Sequence, residues 1–280
     1  MTSVQIVTDS SCDLPEEVIA ELNIKIVPLK IRFGETEFVD RFELSTDQFW
    51  DKCQSMDELP STAAPAPGAF VEQFEEAASQ GASGVVAIVL SGELSATIEA
   101  AQQAALMVKD KIEVKVVDSR TVTMGLGSIV VGAATAAQSG ATIEEISANA
   151  IDCVERTQVH AALDTLENLR KGGRIGAAGS LLGSMLSIKP LIEVRNGVVE
   201  PAGKQRTRSK ALNSIVAVVK EHAEQIEQLC VLHAACEDVD AFVEQIKAVV
   251  NVDVLVGQVG PVVGAHAGLG TIGVAFQTTR

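Results

Sequence analysis

Runs of β-branched residues at 4–8, 24–31, 85–90 and 114–117 alternate with stretches of helical spacing at 15–22, 69–80, 95–108 and 129–139. This alternation constrains the chain more than any other feature, because strands separated by helices pair into a mostly parallel α/β sheet. Such sheets take ligands beyond the carboxyl ends of their strands. Polar clusters stand at that place in this chain. Thr8-Asp9-Ser10-Ser11, Ser91-Gly92-Glu93 and Asp118-Ser119 each follow a predicted strand directly, so the strand ends are expected to converge on one crevice.

The pattern changes near residue 159. An extended stretch at 159–163 leads into the basic glycine loop Lys171-Gly172-Gly173-Arg174, and helical spacing follows at 180–186. Asn196-Gly197 between apolar runs at 192–194 and 198–201 signals a β-hairpin. A helix is expected over 210–229, then a strand, a helix over 239–250 and another strand, before a Gly- and Val-rich end at 261–276. At 280 residues the chain has room for one large or two medium domains. The reading is an N-terminal parallel-sheet α/β (Rossmann-like) domain over 1–158 and a C-terminal α+β layer domain over 159–280.

Composition narrows the function. An apolar fraction of 47% supplies a large core and leaves enough for an internal apolar cavity. Aromatics make up 3%, with one Trp and no Tyr, so stacking platforms for bases or sugars are not expected. A net charge of −15 repels a phosphate backbone, which argues against nucleic acid as a partner. The five cysteines are scattered and odd in number, which fits a reducing compartment. With no signal-peptide pattern and no uninterrupted apolar run of ~18 residues, the expected location is the cytoplasm.

Several local patterns compete for a chemical role. Gly268, Gly270 and Gly273 match a dinucleotide fingerprint, but too little chain follows for the βαβ unit it requires. Cys230, His233 and Cys236 have metal-ligand spacing, yet a strand through Val231 and Leu232 would point the cysteines away from the histidine. They read as core residues, so neither a metal nor a cofactor is expected. His266 stands among small residues, Gly264-Ala265-His266-Ala267-Gly268, which leave space beside the ring for a ligand head group. Arg174 reads either as a solvated loop charge or as an anion contact. Arg206 and Arg208 lie in the densest basic run, 204–210, and read either as a solvated helix approach or as a grip on an anionic partner. Thr62, Ser91 and Ser95 offer hydroxyls, and Ser95 is also placed to cap a helix. A Ser–His hydrolase would need a nucleophile elbow, and no Gly-x-Ser-x-Gly is present.

Taken in order along the chain, these pieces resemble one family. Ile6-Val7-Thr8-Asp9-Ser10 with Asp13-Leu14-Pro15, Ile26-Val27-Pro28-Leu29, Leu94-Ser95-Ala96-Thr97, and Val117-Asp118-Ser119 with Gly125-Leu126-Gly127 carry the first half. Gly172-Gly173-Arg174-Ile175, Ile188-Lys189-Pro190-Leu191, Arg206-Thr207 and His266-Ala267-Gly268-Leu269-Gly270 carry the second. The chain resembles the DegV family, the group that contains the fatty-acid-binding subunits of bacterial fatty acid kinase.

That resemblance implies a two-domain fold with one acyl chain in an apolar pocket at the domain interface. It implies carboxylate contacts from Thr62 and Ser95 with His266 beside them, and Arg174 and Arg206 near the head group and the kinase docking surface. The expected ligand is a long-chain fatty acid such as palmitate or oleate. A separate fatty acid kinase subunit would phosphorylate it to an acyl phosphate for phospholipid synthesis, with transient membrane contact. No Walker motif or kinase signature occurs in the chain, so it is expected to be a carrier rather than an enzyme. Two rivals stay open: a binding module for another amphipathic carboxylate or lipid signal, and an acyl hydrolase using Ser95 or Ser91 with His266. Against the family pattern, Ala63 and Ala64 replace Ser and Gln, Ala96 replaces Gly, Ile98 replaces Tyr, and Leu269 replaces Pro. These departures bear on pocket shape and chain-length preference.

Overall fold

The computed structural model describes residues 4–56, 58–182 and 188–279. The first half contains β1 (Val4–Asp9), α1 (Glu16–Glu21), β2 (Lys25–Val27), β3 (Lys30–Phe33), β4 (Thr36–Val39), α2 (Thr46–Ser55) and β5 (Ser61–Ala63). It continues through α3 (Pro67–Ser79), β6 (Gly84–Val89), α4 (Thr97–Val108), β7 (Val114–Asp118), α5 (Met124–Gln138) and α6 (Ile143–Arg156). The second half contains β8 (Thr157–Ala162), α7 (Glu167–Lys171), β9 (Lys189–Arg195), β10 (Val198–Gln205) and α8 (Arg208–His222). It ends with β11 (Ile226–His233), α9 (Val239–Lys247), β12 (Val254–Gln258), α10 (Pro261–Ala267) and β13 (Ile272–Thr278).

The first sheet is parallel throughout, in the order β2-β1-β6-β7. Every residue of β1 and β6 is buried, as a sheet covered on both faces requires. Alternate side chains explain the two covers. Val7, Val85, Ala87 and Val89 pack with Phe70 and Phe74 of α3 and Ala101 and Ala104 of α4. Val4, Ile6, Val86 and Ile88 face the opposite way, onto Leu126 and Ile129 of α5 and Ile146 of α6. That second core continues without a break into Leu232, Val262 and Ala275 of the second half.

The second sheet has the order β10-β9-β8-β13-β11-β12 and is antiparallel except for the β11–β12 pair. Its far face is covered by α8 and α9, where Leu212, Ile215 and Phe242 meet Val231, Val274 and Phe276. A small antiparallel sheet, β4-β3-β5, is inserted between β2 and α3. The fold is thus mixed α/β, a parallel-sheet unit joined to a further sheet unit, as the alternation in the first half and its loss in the second imply.

Several boundaries differ from expectation for identifiable reasons. The run 24–31 divides into β2 and β3, which belong to different sheets, because Pro28 between them has no amide to donate. The helix expected over 210–229 ends at His222, and Ile226 and Leu229 lie in β11 instead. Their spacing continues the helical stripe of Leu212, Ile215 and Val219, but pairing with β12 and β13 wins that segment for the sheet. Four helices went unpredicted, the short α7 and α10 and the longer α2 and α6; the latter two share a signal. Both carry capping boxes, Ser45 with Gln48 and Thr142 with Glu145, the signal that marks such starts. Asn196 and Gly197 make the hairpin turn with φ values of 53° and 84°, the left-handed pair a type I′ turn needs. Of the helical stretch read at 180–186, residues 183–186 lie outside the described residues. Gly176–Leu181 forms a 3-10 turn.

Candidate functional site: an apolar cavity

A cavity of about 260 Å³ lies between the loops that end the parallel strands and the inner face of the second sheet. Its apolar walls include Leu29, Leu90 and Val122 from the first half and Val159, Leu232 and Val262 from the second. Four residues singled out in the sequence line it: Thr62, Ser95, Arg174 and His266.

Two of these four bond each other, and the other two are held by their neighbours in the chain. Thr62, on β5, has its Oγ1 2.9 Å from Nε2 of His266 near the end of α10. Arg174 donates from Nε to the Leu94 carbonyl at 3.0 Å and from Nη1 to the Gly172 carbonyl at 2.7 Å. Ser95 follows Leu94, and its hydroxyl lies 2.9 Å from that of Thr97. Ala96, rather than Ser95, is the N-cap of α4, so the capping role read for Ser95 is corrected. Ser95 itself remains among the residues lining the cavity.

The position of His266 is set by close packing of α10. At Gly264 a side chain would come within 2.8 Å of the Phe49 and Trp50 rings of α2, and Trp50 Nε1 donates to the Val259 carbonyl at 3.1 Å. Asn168 holds the other end of the helix by donating to the Ala265 carbonyl at 3.3 Å. Burial pulls the imidazole pKa down to about 4, with the Arg174 guanidinium adding to the effect, so the ring is neutral at physiological pH. Its Nδ1 is buried and has no hydrogen-bond partner among the described residues.

A second polar centre stands beside the cavity wall and was not recognised as such in the sequence. Asp9, fully buried, accepts from the Ser11 amide, the Ser11 hydroxyl and the Leu90 amide. Asp13 accepts from the Thr123 hydroxyl at 2.6 Å, and the Gly260 amide at the start of α10 lies against the same carboxylate. Burial raises the Asp13 pKa to about 7 and that of Asp40 to about 6, against the pull of hydrogen bonds and the Arg41 guanidinium. Arg41 itself donates to the Leu14 carbonyl at 3.0 Å and to Glu16 at 2.8 Å. Thr123 lines the cavity with φ of 55° and ψ of −143°, a strained conformation for a β-branched residue that its contact with Asp13 helps to hold.

The polar clusters that follow the parallel strands do converge, but mostly on one another. Asp118 accepts from the Gly92 and Arg120 amides, and Ser91 donates to the Gly197 carbonyl at 2.7 Å. Ser91 therefore ties the first half to the β9–β10 turn. Arg206 follows β10 on the exposed surface and does not line the cavity. Arg208 is committed to the fold, bonding Asp238 through Nε at 2.6 Å and Nη2 at 2.8 Å and the Gly270 carbonyl at 2.6 Å. Gly268 and Gly270 close α10 and lead into β13, so that glycine run ends a helix instead of opening one. Cys230 and Cys236 point their thiols at backbone carbonyls.

Comparison with known proteins agrees with this geometry. A family model described as "Uncharacterised protein, DegV family" matches residues 3–279. A DegV domain-containing protein of Streptomyces coelicolor is 36% identical, with 98% of each chain covered. Among solved structures, a fatty-acid-binding DegV family protein from Thermus thermophilus superposes with a TM-score of 0.91 at 30% identity, covering 99% of this chain and 100% of that one. DegV from Bacillus subtilis, described as a fatty acid binding protein, gives 0.90 at 28% identity with both chains fully covered, 100% each. Matched along essentially its whole length in sequence and in fold, the chain belongs to the DegV family.

Proposed function

We propose that this protein is a fatty-acid carrier: it encloses the acyl chain of a long-chain fatty acid such as palmitate or oleate and holds the carboxylate at Thr62, Ser95, His266 and Arg174. The observation that carries the reading is an aliphatic cavity lined by Thr62, Ser95, a neutral His266 imidazole and the Arg174 guanidinium, with Thr62 and His266 bonded to each other. The relatives from T. thermophilus and B. subtilis, which bind fatty acid, support the ligand class.

The energetics suit that ligand. Each buried methylene contributes about 0.8 kcal/mol, so a tail of ~15 methylenes releases roughly 12 kcal/mol before ordering costs. A carboxylate drawn in after the tail must find donors, since an unpaired buried charge is expensive. Thr62 and Ser95 have hydroxyls to offer, and Arg174 supplies positive charge. The interface between the halves at 1–158 and 159–280 is where the ligand would sit, with both halves lining it.

In this reading the chain delivers its ligand to a separate ATP-dependent kinase that phosphorylates the carboxylate, and exposed Arg206 contributes to that docking surface. The five free thiols are consistent with work in a reducing cytoplasm. No described helix is long and apolar enough to cross a membrane, so any membrane contact would be peripheral and transient. The hydrolase alternative finds less support: His266 bonds Thr62, and Ser95 bonds Thr97.

Solvent extraction of the purified protein followed by mass spectrometry tests the proposal. A stoichiometric fatty acid is expected. A different amphipathic acid would replace the ligand, and an empty extract with no thermal shift on adding palmitate or oleate would overturn the reading.

A further inference from the structure

The contact between Thr62 and His266 can be made in two ways. Either Nε2–H donates to the Thr62 oxygen, or the Thr62 hydroxyl donates to a bare Nε2. The two differ in what Thr62 has left for a ligand: in the first its hydroxyl proton is free, in the second only a lone pair is.

The other side of the ring distinguishes them. Nδ1 is buried without a partner and faces Gly172, at a position where a Cβ on Gly172 would overlap the nitrogen. The Cα of Gly172 therefore lies against the Nδ1–Cε1 edge of the ring. A lone pair accepts that weak contact, whereas an N–H would press hydrogen against hydrogen. A buried orphan N–H is also the rarer and costlier defect. The ring is neutral, because burial and the Arg174 guanidinium oppose a second proton. It therefore carries its one proton on Nε2.

We infer that Gly172 is a positioning residue that fixes His266 as the Nε2–H tautomer, so that Thr62 accepts from the imidazole and turns its hydroxyl proton into the cavity as a donor for a carboxylate. The inference rests on the proposed fatty-acid reading for its recipient, but the tautomer is a property of the unliganded protein. It also explains why the basic loop begins with glycine before Arg174. Gly172 gives the ring its seat while its carbonyl holds the Arg174 guanidinium, so one residue sets both groups. A neutral acid or ester could not use the arrangement as well, since a donor to an anion makes the stronger hydrogen bond.

Two measurements test it on the full chain. In the first, ¹⁵N-edited NMR of the histidine rings assigns the His266 resonances by their loss in His266→Gln. A protonated Nε2 and an unprotonated Nδ1 in the unliganded protein are expected, and a protonated Nδ1 overturns the inference. In the second, oleate affinity is compared across variants. Gly172→Ala should lose ~10-fold or more, because its methyl displaces the ring. Gly132→Ala, where added carbon meets nothing within 4 Å, should match the wild type. His266→Gln, which can place an N–H where Nε2 stands, should keep most of the affinity that His266→Met loses. Equal losses for Gln and Met would overturn the donor role even if Gly172→Ala proved unstable. Absence of oleate binding by the wild type would overturn the carboxylate recipient together with the proposed function. A protonated Nδ1 in a protein that binds oleate would overturn this inference alone.

Discussion

Two buried polar centres meet at Thr123, and they handle hydrogen-bonding capacity in opposite ways. Beneath the wall, Asp9 and Asp13 accept from fixed amides and hydroxyls of the same chain, tying β1 to the loop after β6 and to the starts of α5 and α10. At the cavity, Thr62 and His266 bond each other, Ser95 bonds Thr97, and Nδ1 of His266 has no partner within the described residues. The first centre serves the fold. The second is held in place by its surroundings and keeps donors for something else. Buried polar groups bonded within the chain fix a structure, and a hydroxyl with a proton to spare beside a cavity can serve a ligand.

The largest effect should come from the inner centre. Asp13→Ala strands the Thr123 hydroxyl and the Gly260 amide in the interior, and unfolding free energy should fall by about 3 kcal/mol in denaturant melts. Ligand affinity should fall too, because Gly260 begins the helix that carries His266. If stability were unchanged and only affinity fell, the division between the two centres would fail.

Thr62→Val and Ser95→Ala should do the reverse. Each removes one hydroxyl and the hydrogen bond it makes, to His266 or to Thr97, so the unliganded protein should lose about 1 kcal/mol, well short of the loss at the inner centre. Oleate affinity, read by titration, should drop ~10-fold or more for each, the usual worth of a hydrogen bond to a charged group. A variant that binds normally would remove its residue from the site.

The centres also differ in their response to pH. Burial raises Asp13 to about 7 and Asp40 to about 6, above the ordinary carboxylate value, so the folded state holds protons that the unfolded chain has released. Their contribution to stability is complete below about pH 4 and is lost as pH rises towards 7. His266, lowered to about 4, has the opposite sign: its contribution is present above about 6.5 and is lost as pH falls through 4. Melting temperatures should therefore fall from pH 5 to about 7 and level off above it, and Asp13→Asn should flatten that fall. His266→Gln should instead relieve the loss below pH 6. An unchanged slope between pH 5 and 7 in Asp13→Asn would assign the titration to other groups.

How much of this the sequence displayed follows from how local each cause is. The parallel sheet was legible because strands β1, β6 and β7 are rich in Val and Ile, a signal that needs only their own residues to be recognised. The β9–β10 turn was legible for the same reason, since Asn196-Gly197 states its own geometry. The end of α8 was not, because its helical stripe runs on in phase into β11 and only pairing with β12 and β13 decides otherwise. At the cavity, residue types and the family resemblance pointed to Thr62, Ser95, Arg174 and His266, all of which line it. Their linkage was hidden. The Thr62–His266 bond spans 204 positions, and the seat at Gly172 depends on α7 meeting α10. Thr123 gave no signal at all, because its strain exists only in three dimensions.

The smallest expected effect tests the outer limit of the comparison. Arg206 belongs to neither centre: it is exposed, stands outside the cavity, and precedes the Thr207 cap of α8. Arg206→Ala should change stability by no more than about 0.5 kcal/mol and leave oleate affinity as it was. Any consequence should surface only in turnover with a cognate kinase, and there as a rate that loses sensitivity to salt, since an exposed arginine acts on association through screened charge. Arg208, two residues on, cannot serve as a neutral control. Its guanidinium grips Asp238 and the Gly270 carbonyl, so its replacement would disturb α8 and the turn into β13 together. Lys204 and Lys210 are better controls, as exposed cations of the same run. A turnover defect confined to Arg206→Ala would mark a specific contact, one shared equally by all three would mark a general field, and normal turnover in Arg206→Ala would exclude this arginine from docking.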